Sequence, residues 1–275
     1  MRTFLRATIG SARVSTIIYW RFFNWTGFAL RFLSPLLSLS VAWILYNVVY
    51  HQSTSTSFKG AANSSDYFSF VVVGSAFFVY VVSTLFTLGR VMYWDRAQGV
   101  LETIFLTPSS VLGYITGRML SAFSMATVDL LVLFGIGYAL GFHVTSFNAP
   151  VFLASIGLMI ASLFGLGLIV NTITLIFRDR VNTANTLTTL ILVFSGVVAP
   201  IRLMPDWAQR VGAVIPFTYA INLLRASLLS TESGAVNYGD LRYLAALTSV
   251  FLLAGHALLI ATVKTVRKQA LYSHI

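Results

Sequence analysis

Two ionisable side chains, Asp129 and His256, interrupt long stretches that are otherwise uncharged and apolar. A carboxylate inside a membrane-crossing helix is expensive, and such groups are usually paired or functional. Asp129 is open to three readings: contact with a passenger or a gate, pairing with a neighbouring helix or protonation, or a helix boundary placed wrongly. His256 reads as a packed, hydrogen-bonded residue sooner than as a proton relay. Asn182 and Asn185 lie three apart and share a helix face with Thr186 and Thr189. They either bond across a helix interface, worth about 1 kcal/mol, or contact a translocating head group. The chain has no GxxxxGK[ST] phosphate loop, no His-Glu-x-x-His helix and no GxSxG elbow. It also has no cysteine, which removes disulfides and thiolate metal sites. The expectation is a chain with no catalytic, cofactor-binding or metal-ligating residues of its own.

The elements that must carry these residues are membrane helices. Of 275 residues, 57% are hydrophobic and 9% charged, against about 25% charged in an ordinary soluble domain. The stretches 32–58, 67–89, 130–177, 181–201 and 243–263 contain no Lys, Arg, Asp or Glu. A bilayer core of about 30 Å needs roughly 20 apolar residues of helix, and each stretch can supply a span. Five such runs leave too little polar sequence to cover a soluble core. Runs such as Val71-Val72-Val73 do not alternate as barrel strands must, and inside lipid a continuous apolar segment satisfies its backbone only as a helix. The fold class expected is therefore an all-α integral membrane protein with six spans, at about 30–50, 67–89, 119–141, 151–176, 183–201 and 242–263. Residues 1–26 are expected to form an N-terminal interfacial helix, with Arg2, Arg6 and Arg13 on one side and Phe4, Ile18 and Phe22 nearly opposite. Residues 27–268 form the membrane domain, and 269–275 a short tail.

Basic residues set the orientation. The net charge is +10, spread through short connections, which points to membrane topology and away from nucleic acid. Five of the 18 Lys and Arg, namely Lys59, Arg202, Arg210, Arg225 and Arg242, fall on one side of the expected spans, and the rest fall on the other. The positive-inside rule then puts both termini in the cytoplasm of a multi-pass cell-membrane protein. Tryptophans 20, 25, 43, 94 and 207 sit mostly near expected interfaces.

Three segments depart from plain spans. The stretch 90–117 is too long and too apolar for a simple loop, and it carries Arg90, Asp95, Arg96 and Glu102 before a turn at Thr107-Pro108-Ser109. It reads as an amphipathic surface helix, with Val100, Ile104 and Phe105 free for membrane or protein contacts. The stretch 178–201 opens at Arg178-Asp179-Arg180, and Gly196 and Pro200 end its helix near the outer surface. The stretch 205–230 is apolar but broken by Pro205, Gly212 and Pro216, which suits an outside hairpin of re-entrant or interfacial helices.

At these segments the sequence resembles the ABC-2 type transporter permeases, especially their drug-resistance and nodulation-type branch. The matching pieces are QGVLETIFLTPSS at 98–110, FRDRVN at 177–182 and FSGVVAPIRLMPDWAQRVGAVIPFTYAINLLRA at 194–226. The resemblance implies a permease that pairs with a second permease copy or paralogue, contacts membrane lipids, and docks two separate ATPase subunits that bind ATP and Mg. It implies a cytoplasmic coupling helix at 90–108, with Asp95, Arg96, Gly99, Leu101, Glu102 and Pro108 at the ATPase contact. Gly99-Val100-Leu101-Glu102 departs from the usual Gly-Thr-Leu-Glu by one residue. Asp129, Asn182, Asn185, Pro200, Pro216 and Tyr219 are the candidates for pathway or gating. The cargo implied is lipid-like or amphipathic and drug-like, and the direction is export. An ion-gradient-driven transporter using Asp129 and His256 is the competing reading, and a non-transporting scaffold is a third.

Overall fold

A computed structural model describes residues 2–21, 32–33, 36–37, 39–41, 43–44, 66–100, 104, 110–176, 181–197, 200–229 and 237–272. These residues are helical throughout, apart from turns and short connections. Helix α1 is Arg2–Arg21, α2 is Tyr67–Ala97, α3 is Val111–Ala139 and α4 is Ala149–Ile176. After them come α5 (Val181–Phe194), a 3-10 turn (Ile201–Leu203), α6 (Asp206–Gly212), α7 (Pro216–Leu229) and α8 (Tyr238–Tyr272).

Four helix starts are capped by a side chain just ahead of them. Asp66 caps α2, accepting from the Phe68 amide at 2.9 Å and from the Ser69 hydroxyl. Ser110 follows the expected Thr-Pro-Ser turn and caps α3, accepting from the Gly113 amide at 3.1 Å. Asn148 accepts from the Val151 amide ahead of α4, and Asn237 accepts from the Gly239 amide at the head of α8. Each cap satisfies an amide that the first helical turn leaves without a partner.

Four described helices, α2, α3, α4 and α8, are long and apolar enough to cross a bilayer, or five spans if the bent α6–α7 pair is one. The boundaries differ from the expected ones. Helix α3 starts eight residues before the expected 119, because Ser110 caps it there. Helix α5 has only 14 residues, since the chain leaves it at Ser195 and turns through Gly196 at φ +68°. A left-handed φ of that kind suits glycine. Helix α8 runs on to Tyr272, through most of the segment expected to be a tail. The expected first span, 30–50, lies largely outside the described residues, and within it Phe32 and Leu39 are buried. The polar connection at 51–65 also falls outside them.

Helix α2 is the central element. Its apolar part, Tyr67–Leu85, is 83% buried, and it packs against α3, α4, α5 and α7. Phe77 meets Phe134 of α3 edge-on at 5.7 Å and Phe152 of α4 at 6.4 Å. Between α4 and α8 the seam depends on small residues. A Cβ on Gly165 would sit 2.6 Å from the Phe251 backbone, and one on Gly255 would sit 2.5 Å from the Gly165 carbonyl oxygen. Ser162 and Thr248 hydrogen-bond across the same seam at 2.6 Å. Lipid tails are as apolar as leucine, so close backbone approach and such bonds hold membrane helices together where hydrophobic burial does not.

Helices α6 and α7 are bent by 90° to one another, so the chain is broken within the 205–230 stretch. Helix α7 is buried along most of its length, against α4, α8 and α2. Its last carbonyls are taken up by the 142–148 connection: the Thr145 amide donates to Leu228 O at 3.2 Å and the Asn148 amide to Ser227 O at 3.0 Å. The apolar interior forms a large cluster around α2 and a smaller one at the opposite end, made of Val111, Tyr114, Ile115, Met119, Ala122, Leu168 and Leu259.

Candidate functional site

The smaller cluster surrounds a polar group that ties three helices together. Asp95, near the end of α2, and Arg118, at the start of the third turn of α3, form an ion pair at 2.8 Å with both side chains almost fully buried. The Tyr114 hydroxyl donates to the other Asp95 oxygen, and Arg118 Nε donates to that hydroxyl at 3.1 Å. Arg118 Nη1 reaches Ser15 of α1 at 2.6 Å, and the Ser11 hydroxyl donates to the Tyr114 carbonyl at 3.0 Å. Charge neutralisation and filled hydrogen-bonding positions make such burial tolerable. Helix α1 can come this close because α3 presents glycines: a Cβ on Gly113 would sit 2.8 Å from Phe4 O, and one on Gly117 would overlap the Ser11 hydroxyl.

Asp95 and Arg118 flank the segment expected to face the ATPase. Asp95, expected at the ATPase contact, is 6% exposed and engaged by Arg118 and Tyr114. Gly99 turns the chain after α2 at φ +70° with open space around it, so conformation, not crowding, demands the glycine. The side chain of Arg96 and all of Leu101, Glu102, Phe105 and Pro108 lie outside the described residues. Ile104 packs against the smaller cluster of the same chain.

The pathway candidates are scattered. Asp129 is 1% exposed and accepts from the Ser83 hydroxyl of α2 at 2.5 Å, so the α2–α3 pairing expected as one alternative is present. Asn182 and Asn185 fall in the first turns of α5, and their side chains lie outside the described residues. Pro200 is buried ahead of the 3-10 turn, and Pro216 is buried as the first residue of α7. Tyr219 stacks on Tyr243 of α8 at 5.8 Å and donates to Ala213 O at 3.3 Å. The expectation for His256 does not hold: it is exposed on α8, because the buried face of that helix is taken by Leu244, Thr248, Gly255 and Leu259.

Arg225 was counted with Asp206 and Arg210 as a charge of the outer hairpin. Asp206 and Arg210 are exposed, whereas Arg225 is buried. Its Nε donates to Phe70 O at 3.1 Å, Nη1 to Gly196 O at 2.7 Å and Nη2 to Val197 O at 2.5 Å. The guanidinium also lies 3.5 Å from the centroid of the Phe70 ring, a cation–π contact. One side chain thus joins α7 to the start of α2 and the end of α5. Gly74 makes room for it, since a Cβ there would overlap Nη2.

Sequence reasoning missed Arg118, Tyr114, Ser15 and the role of Arg225. Arg118 counts toward the basic segment ahead of the third expected span and Arg225 toward the expected hairpin, because their partners lie far away in sequence or on the backbone. The glycines at 74, 113 and 117 were the available signal, though glycine spacing alone does not say what fills the room.

Long apolar helices packed around a buried α2 define a multi-pass membrane protein. The family model described as ABC-2 type transporter matches residues 7–229, and the chain belongs to that family. None of the curated proteins compared matches it.

Proposed function

We propose that this chain is the membrane-spanning permease subunit of an ATP-binding cassette exporter, working with a separate ATPase that binds ATP and Mg. Six spans, both termini in the cytoplasm of the cell membrane, and a second permease copy or paralogue complete the reading. The cargo is lipid-like or amphipathic and drug-like, and it belongs to the drug-resistance and nodulation-type branch of the family.

The observation that carries this reading is the pair that closes the 95–118 segment. Force applied to an exposed segment does work on helices only if its ends are fixed to them. Here the ends are fixed by Asp95 and Arg118, and Ile104 packs against the smaller cluster. A docked ATPase pushing on Glu102 would move α2, α3 and α1 together. Energy passes as a coupling free energy between the nucleotide site and the membrane path.

The test is ATP hydrolysis in lipid vesicles by this chain with its co-purifying ATPase, comparing the intact chain with Glu102→Ala. Expected are recovery of the ATPase with the intact chain, and weaker assembly or lower cargo-stimulated turnover with the variant. Stable recovery without any ATPase, with transport indifferent to nucleotide, would overturn the assignment.

A further inference from the structure

Helix α1 packs with its chemistry turned inside out. The side against α3 carries small and hydroxyl residues, with Ser11 and Ser15 buried, while Leu5, Ile9 and Ile17 point outward, Ile9 being 66% exposed. On a 3.6-residue period Arg6 and Arg13 fall along one line, with Ile9 on one flank and Ile17 on the other. Arg6, Arg13 and Arg21 are all exposed, and α1 contains no Asp or Glu.

We propose that the outer face of α1 is a docking surface for anionic lipid headgroups, and that Ser15 connects this surface to the Arg118–Asp95 pair. Arginines flanked by aliphatic side chains suit the boundary between phosphate and acyl chain, where both chemistries occur within a few ångströms. A neutral aqueous setting would leave the aliphatic residues uncovered, and a neutral lipid surface would leave the arginines without counter-charge. An anionic headgroup layer satisfies both at once. The connection inward is short: Ser15 is buried on the opposite side of the same helix and accepts from Arg118 Nη1 at 2.6 Å. Drawing α1 toward the headgroups shifts the hydroxyl that holds the guanidinium, and so biases the pair that closes the coupling segment. This second part rests on the exporter reading, whereas the lipid surface does not.

The chain has no cysteine, so Gly10→Cys, placed on the exposed side where a Cβ meets open space, gives a single labelling site. The full chain carrying an environment-sensitive fluorophore there is reconstituted in phosphatidylcholine vesicles. Traces of nitroxide-labelled phosphatidylglycerol or nitroxide-labelled phosphatidylcholine then serve as quenchers. Stronger quenching by the phosphatidylglycerol probe is expected. Arg6→Gln and Arg13→Gln should each reduce that preference about fivefold, without touching any buried group. Equal quenching by the two probes would overturn the proposal. So would a label left unquenched by lipid and shielded only when the ATPase subunit is added, which would assign the face to a protein. The connection is read separately, as ATP turnover of the complex with and without added phosphatidylglycerol. Stimulation that disappears in Ser15→Ala, while the quenching preference persists, supports it. Turnover insensitive to phosphatidylglycerol overturns the connection and leaves the surface standing.

Discussion

The Asp95–Arg118 pair and the Arg225 cradle handle buried charge in opposite ways. In the first, a carboxylate neutralises a guanidinium, and a tyrosine and a serine fill the remaining positions. In the second, three backbone carbonyls and an aromatic face stabilise the cation through dipoles. Removing one member of a buried pair leaves the other uncompensated, at a cost of about 3–5 kcal/mol. Asp95→Asn is therefore expected to destabilise the chain by that amount in a denaturant titration. Asp95→Asn combined with Arg118→Met should cost less than the two single changes added together. At the cradle, lysine offers a compact point charge without the planar fork of arginine. Arg225→Lys should lose at least one carbonyl bond and lower the thermal midpoint, and Gly74→Ala should do the same by displacing the guanidinium. Neither partnership was legible in the sequence. The chain reveals that a charge sits beside an apolar run, but Arg118 depends on residues 23 and 103 positions away, and Arg225 depends on carbonyls that every residue possesses.

Helix existence was legible because apolar stretches free of charge have few alternatives in a bilayer. Helix ends were less so. The expected 119 for the start of α3 followed the hydrophobicity, while the cap at Ser110 and the docking of α1 extend the helix into more polar sequence. Helix α5 stops at Phe194, since the backbone of Gly196 and Val197 is drawn to Arg225. Small-residue packing was legible in kind, and at Gly165 the partner is the α8 backbone. Gly165→Leu should force α8 away from α4 and cost about 1–3 kcal/mol, as overpacking does elsewhere. A titration of unfolding in mixed micelles would register it. Retention of full stability would mean that the two helices can slide to a new register.

For the whole molecule, the proposed orientation rests on the distribution of basic residues, and the structure supplies positions at which to test it. Trp207 is 63% exposed on the outer hairpin, and Lys264 is exposed near the far end of α8. In intact cells, a membrane-impermeant thiol reagent should label Trp207→Cys and leave Lys264→Cys unlabelled until the membrane is opened. The reverse pattern would invert the topology and with it the side on which an ATPase could dock.

Among the described residues, the two apolar clusters share one side chain at their border: Phe123 packs against both. A structure divided in this way need not melt all at once, because locally cooperative units open at their own free energies. Amide hydrogen exchange should therefore fall into two tiers. The slow tier is the middle of α2 together with α7, deep in the large cluster. The faster tier is α1 and the first three turns of α3, whose opening breaks the Asp95–Arg118 pair and frees the end of α2. The end of the molecule that would receive mechanical input is then also the one that opens most readily, so the work of coupling competes with local opening.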